Sequence, residues 1–144
     1  MSPILAEFIG TFLMMLLGLG VNANVSLTGT KGSHSNASGW VLICSGWAFA
    51  VYVGVVVAGP ISGAHLNPAV STALLVEGSL LLSDFVPFVA AQMGGAMLAS
   101  FAVFFMYRDH FLATEDLNTR RVFSSSFSWI NSHNIPCSVF RFFP

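Results

Sequence analysis

Uncharged apolar runs alternate with short polar breaks along this chain, and one break falls where an uninterrupted span would otherwise continue. Ile4 to Val21 forms a first run, apolar apart from Glu7 and Thr11, long enough as a helix to cross much of a hydrocarbon core of about 30 Å. A polar stretch, Asn22 to Gly39, follows with Lys31 as its only basic residue, and Trp40 to Ala58 makes a second span without charge. Gly59 to Leu66 carries the Gly, Pro and Ser of a non-helical stretch, and a short apolar helix begins at Pro68. Phe85 to Tyr107 is a third span, preceded by Asp84 and holding Pro87 in its first turn, where proline is tolerated. Ala91, Gly95 and Ala99 recur every four residues in it, a small-residue stripe along which another helix can approach; Gly10, Gly18 and Gly20 offer the same in the first span.

This pattern predicts an all-α membrane protein with three transmembrane helices, over about 4–21, 40–58 and 85–107, plus one re-entrant segment of loop and half-helix over 59–76. These form one unit, 1–124. Beyond Arg108 the chain turns polar and charged through Arg121, and residues 125–144 are expected to form a divergent, Ser- and Phe-rich, poorly ordered tail, too short and broken for another span.

Composition narrows the function classes. At 55% hydrophobic and 8% charged residues, with a mean hydropathy of +0.78, the chain is far too apolar for an ordinary soluble domain. Five Lys and Arg and a net charge of −1 argue against nucleic acid as a partner, because nothing here neutralises a row of phosphates. Cys44 and Cys137 make neither a disulfide framework nor a metal set. His34, His65, His110 and His133 lack metal-ligand spacing and no Ser, His and acid set is credible, so neither an enzyme nor a cofactor is expected. The start lacks the basic region of a secretory signal and reads as a retained span. Asn24-Val25-Ser26 and Asn36-Ala37-Ser38 match the glycosylation pattern, for which chance occurrence in a polar loop is the better reading.

The chemistry concentrates in Ser62-Gly63-Ala64-His65-Leu66-Asn67-Pro68-Ala69-Val70. Asn67 is a strong N-cap and Pro68 suits the first helical position, where no N–H is needed. The helix they start can run only to about Val76, roughly 13 Å at 1.5 Å per residue, so it enters a membrane without crossing it. Irregular backbone at that depth is tolerated only when buried in protein or lining a watery cavity. Gly59 to Leu66 is therefore expected to border a pore, with the carbonyls of Gly63, Ala64, His65 and Leu66 as a ladder of acceptors and the Asn67 amide as donor at its end. The half-helix also turns its positive dipole end toward the pore, which disfavours cations. Glu7, an acid inside a span, is expensive unless paired, which makes it a functional candidate; an acid reaching the nearby interface is the alternative.

With these residues in view, the chain resembles the N-terminal half of a channel of the aquaporin, or major intrinsic protein, family, and most closely the bacterial glycerol facilitators. The stretches that carry the resemblance are Ala6-Glu7-Phe8-Ile9-Gly10-Thr11, Ser62 to Val70, and Val86 to Ala96, with weaker support from Ala113-Thr114-Glu115-Asp116 and Val122-Phe123-Ser124. The resemblance implies a passive channel for glycerol and water in the plasma membrane, with Trp47, Gly63, Ala64, His65, Leu66, Asn67, Pro68 and Ala69 lining the pore. In this family Trp47 would belong to the selectivity filter, where glycerol channels place an aromatic residue and an indole offers apolar area with one donor; an interface anchor is the alternative, a role Trp40 already fills. Glu7 would brace the pore loop, and Gln92 would support it from behind, with plain helix packing an equal rival for Gln92.

Family channels are tetramers with an inverted second half, which carries its own Asn-Pro-Ala-type helix and a filter arginine. This sequence has neither, and from about Ser125 it no longer matches, as a premature end or altered reading frame would produce. Two alternatives follow: a non-conducting subunit that associates with intact channels, or the half of a water-selective channel. Opposed copies rebuilding the two-fold pore are a third arrangement. The family places the N-terminus in the cytoplasm, which sets Lys31, Arg108, Arg120 and Arg121 outside, against the positive-inside tendency, so orientation stays open.

Overall fold

The computed structural model describes residues 1–33, 39–115 and 119. Readings that fall on His34, Asn36-Ala37-Ser38, Asp116, Arg120 to Ser124, His133, Cys137 and the tail 125–144 lie outside the described residues. Five helices are described: α1 (Pro3–Ser26), α2 (Gly39–Ser62), α3 (Pro68–Glu77), α4 (Leu82–Met106) and α5 (Arg108–Ala113). No strand occurs among the described residues. α1, α2 and α4 are each long and apolar enough to cross a membrane, whereas α3, at 10 residues, is not.

Local chemistry explains the helix ends. Ser2 caps α1 by accepting from the Leu5 N–H at 3.3 Å, and Pro3 follows in the first turn, where its missing donor costs nothing. The helix runs on to Ser26, beyond the expected Val21, so Asn22 is helical rather than the start of a loop. Burial is the reason: Ala23 and Leu27 join Val103 and Phe111 in an apolar cluster, and extending α1 to reach it outweighs the weak helix preference of two asparagines. At the other end of α2 the expectation is also corrected. Gly59 to Ser62 are helical, because Pro60 sits in the last turn, where it forfeits a single helical bond, and the Gly63 N–H closes onto the Gly59 carbonyl at 3.1 Å. The irregular stretch is therefore only 63–67. α4 begins at Leu82 and takes Asp84 into its first turn, which suits the positive helix end.

α1 is the central helix, packed against both α2 and α4, while α3 rests on α4. Small residues set these distances. A Cβ on Gly95 would lie 2.5 Å from the Phe8 carbonyl oxygen and 3.1 Å from the Phe12 nitrogen, so α4 meets the backbone of α1 directly, and Ala91 and Ala99 are buried on the same stripe. On the opposite side of α1, Gly10 meets Gly54 and Ala58 of α2. A Cβ on Gly20 would meet nothing within 4 Å among the described residues, so its face of α1 is open there. The outer side of α2 presents Trp40, Phe49 and Tyr52, all well exposed, as suits lipid or another chain.

Gly95→Val is expected to force α1 and α4 apart and cost about 1–3 kcal/mol, read as a lowered unfolding temperature in detergent, while Gly20→Ala stays within about 0.5 kcal/mol of the parent.

Candidate functional site

The irregular stretch between α2 and α3 has an unusual backbone. Gly63, Ala64 and Leu66 all have positive φ, of 85°, 52° and 52°, and for the two non-glycine residues this conformation costs on the order of 1 kcal/mol or more each. Such strain persists only where surrounding bonds dictate it. Here the dictating group is the Glu7 carboxyl on α1, which is fully buried. Its Oε1 accepts from the His65 N–H at 2.9 Å and from the Ser62 hydroxyl at 2.5 Å, and its Oε2 accepts from the Leu66 N–H at 2.7 Å and the Gln92 Nε2 at 2.8 Å. Ser62 has one proton to give, and this partner is far closer than the Ala58 carbonyl at 3.2 Å. The Ser62 oxygen in turn accepts from the Ala64 N–H at 3.2 Å. Three consecutive amides of the loop are thus drawn toward α1.

Gln92, 1% exposed on α4, joins this carboxyl to the half-helix: its Nε2 also donates to Ser71 Oγ at 3.0 Å. Because both amide hydrogens have acceptors, the side chain cannot be flipped without setting its oxygen against the carboxyl. Ser71, one turn into α3, lies 3.1 Å from His65 Nδ1, a hydrogen bond whose donor is set by the histidine tautomer. The His65 ring then rests edge-on against Phe88, with centroids 5.2 Å apart. Leu66 fills the space between Gly10 and Gly54 and seals the loop against α1 and α2. Glu7 therefore does not reach the interface, and Gln92 does more than pack.

The carbonyls of this loop have the opposite fate to its amides. Among the described residues, no group donates a hydrogen bond to the carbonyl of Gly63, Ala64, His65 or Leu66. Asn67 caps α3 through its Oδ1, which accepts from the Ala69 N–H at 2.9 Å, and its exposed side chain keeps Nδ2 available. Pro68 occupies the first turn, half-buried, and Ala69 is exposed beside it. At the other end of α3, Gly78 takes a positive φ of 89° to turn the chain back toward α4. An open groove of about 410 Å³ is lined by Ser62, His65, Ser79, Asp84 and Phe88.

Trp47 stands apart from this cluster. It lies on α2 seven residues before Gly54, the residue that touches Leu66, and hence roughly 10 Å along the helix from the loop. Its indole Nε1 donates to Asn22 Oδ1 at 3.1 Å, so the donor expected of it is already engaged within the protein. Of the residues singled out from sequence, the structure brings together Glu7, Gln92 and 63–69. Ser62, Ser71 and Asn22 were not assigned roles from sequence. Ser71 carried a usable signal, four residues after the N-cap and thus one turn along the same face of α3; Asn22 lies 25 residues from Trp47 and carried none. Thr11 Oγ1 and Gln92 Oε1 are buried with no hydrogen-bond partner among the described residues. No group of three His, Cys, Asp or Glu able to hold a metal occurs among the described residues.

Comparison with known proteins places this geometry. The family model described as "Major intrinsic protein" matches residues 1–133. A glycerol uptake facilitator protein of Streptococcus pneumoniae is 43% identical over 116 residues, covering 81% of this chain and 48% of the relative. Glycerol uptake facilitator protein 3 of Lactiplantibacillus plantarum is 42% identical over 113 residues, covering 78% of this chain and 46% of the relative. The X-ray structure of the aquaglyceroporin from Plasmodium falciparum superposes with a TM-score of 0.65 at 36% identity, over 76% of this chain and 43% of that one. The chain spans about half the length of the curated relatives it matches. A strained loop braced by a buried acid, a half-length helix capped by Asn67-Pro68 and a family match over most of the sequence lead to one conclusion: this membrane protein belongs to the major intrinsic protein family.

Proposed function

We propose that the chain forms one half of a passive channel for glycerol and water in the plasma membrane, with no enzymatic step and no cofactor. The observation that carries this reading is the row of four consecutive carbonyls, Gly63 to Leu66, that accept nothing among the described residues while the amides of Ala64, His65 and Leu66 are tied back. A hydroxyl group passing along such a row exchanges one acceptor for the next at little cost, and Asn67 Nδ2 supplies a donor at its end. The positive end of α3 opposes cations there, the barrier known from half-helices of aquaporin-type pores. Trp47, roughly 10 Å farther along, supplies apolar area for the carbon backbone of a polyol. The printed names of the S. pneumoniae and L. plantarum relatives support glycerol, and their bacterial source supports the plasma membrane. The half-length match supports a second half that closes the other wall, in an oligomer of such subunits, four by family resemblance.

Liposome swelling in a glycerol gradient tests the reading, with the chain reconstituted alone and together with the C-terminal half of the S. pneumoniae relative. Glycerol and water flux is expected in at least one preparation, and Asn67→Asp or Trp47→Arg is expected to lower it at least about tenfold, because each sets a charge in the conduit. Absence of flux in both preparations removes the reading in favour of a non-conducting subunit; water flux without glycerol replaces it with a water-selective one.

Glu7→Gln puts an amide donor where four donors converge, leaving at least one of them unpaired. A loss of about 1–3 kcal/mol is expected in detergent unfolding, together with reduced flux.

A further inference from the structure

We propose that Asn22 is a specificity-determining positioning residue, which holds the Trp47 indole against α1 so that the conduit meets its ring face and not its N–H. This rests on the channel reading above, in which Trp47 borders the path of the solute.

The indole has a two-point seat on α1. Its Nε1 donates to Asn22 Oδ1 at 3.1 Å, and its benzo ring abuts Gly18, where a Cβ would lie 2.6–2.7 Å from the ring carbons Cε3, Cζ3 and Cη2. Gly18 and Asn22 are one turn apart on the same face of α1, about 6 Å along the axis, which matches the length of an indole from benzo edge to N–H. One point is created by a missing side chain and the other by an acceptor, so neither serves without the other: the cleft at Gly18 admits the ring and Asn22 fixes its rotation. The ring is only half-buried in this seat, which leaves part of it uncovered. On α2 it shares a stripe with Ala50, Gly54 and Ala58; Gly54 and Ala58 border Gly10, and Gly54 borders Leu66 as well, so the stripe that seats the ring runs on to the pore loop.

The chemical consequence follows from what an indole offers in each state. Pinned, it presents apolar area and no donor, so a solute with a carbon backbone gains contact there while water gains nothing. Released, its N–H seeks an acceptor in the conduit and the ring turns with it, which favours water and narrows the apolar wall.

The test uses the full chain, in the conducting preparation identified by swelling, with tryptophan indoles labelled with nitrogen-15. Trp47→Phe assigns the Trp47 indole resonance among those of Trp40, Trp47 and Trp129. In Asn22→Leu that resonance is expected to move upfield and exchange faster with water, and the glycerol-to-water permeability ratio is expected to fall by about fivefold, the effect of one hydrogen bond. Asn22→Gln keeps an uncharged acceptor oxygen and is expected to restore both. An unmoved resonance in Asn22→Leu overturns the anchor, and a moved resonance with an unchanged ratio overturns the specificity role. A parent that passes neither solute overturns that role together with the channel reading, and a surviving resonance response identifies the channel reading as the part that failed.

Discussion

One carboxyl group organises this molecule. Glu7 collects donors from α1's three neighbours in space: the end of α2, the irregular loop after it, and α4. A buried acid with a single partner would be a liability, since desolvation exceeds what one bond returns. With four partners it braces the loop's shape, because two backbone amides reach it while Ala64 and Leu66 hold left-handed conformations. The same residue therefore accounts for the strain and for its persistence. What remains on the other side of the loop, a row of unengaged carbonyls, is the by-product of satisfying the amides.

The helices serve that arrangement by staying close. Gly10 and Gly95 bring α2 and α4 to within backbone contact of α1 on opposite sides, which puts Gln92 and the loop within reach of a side chain as short as glutamate. Gln92 then relays the constraint to α3 through Ser71, and Ser71 to the ring of His65. Four elements are thereby linked through polar groups, where each such bond fixes orientation as well as distance.

How much of this could be read from the residues alone depended on how local the cause was. The start of α3 was legible because Asn67 and Pro68 cap a helix by their own chemistry, whatever surrounds them. The three long helices were legible from runs of apolar residues. The ends of those helices were not. Pro60 and Gly59 break helices in water but cost little in a final turn, and Asn22 was drawn into α1 by the burial of Leu27, an event decided by Val103 and Phe111 far along the chain. The roles of Glu7 and Gln92 were suggested by the cost of polar groups inside spans and by family resemblance, but the bonds that join them to Leu66 and Ser71 needed coordinates. Asn22 as partner of Trp47 was invisible, since nothing in a one-dimensional pattern pairs residues on antiparallel helices.

The spacing of the Glu7 partners along the chain also bears on how the protein is built. The acid is made before its donors, which lie 55, 58, 59 and 85 positions later. A carboxyl without partners is costly in lipid. α1 accordingly carries an acid that lacks its full set of donors until the helix bearing Gln92 has been synthesised. α1, made before the helix that supplies its last donor, is thus fully bonded only after α4.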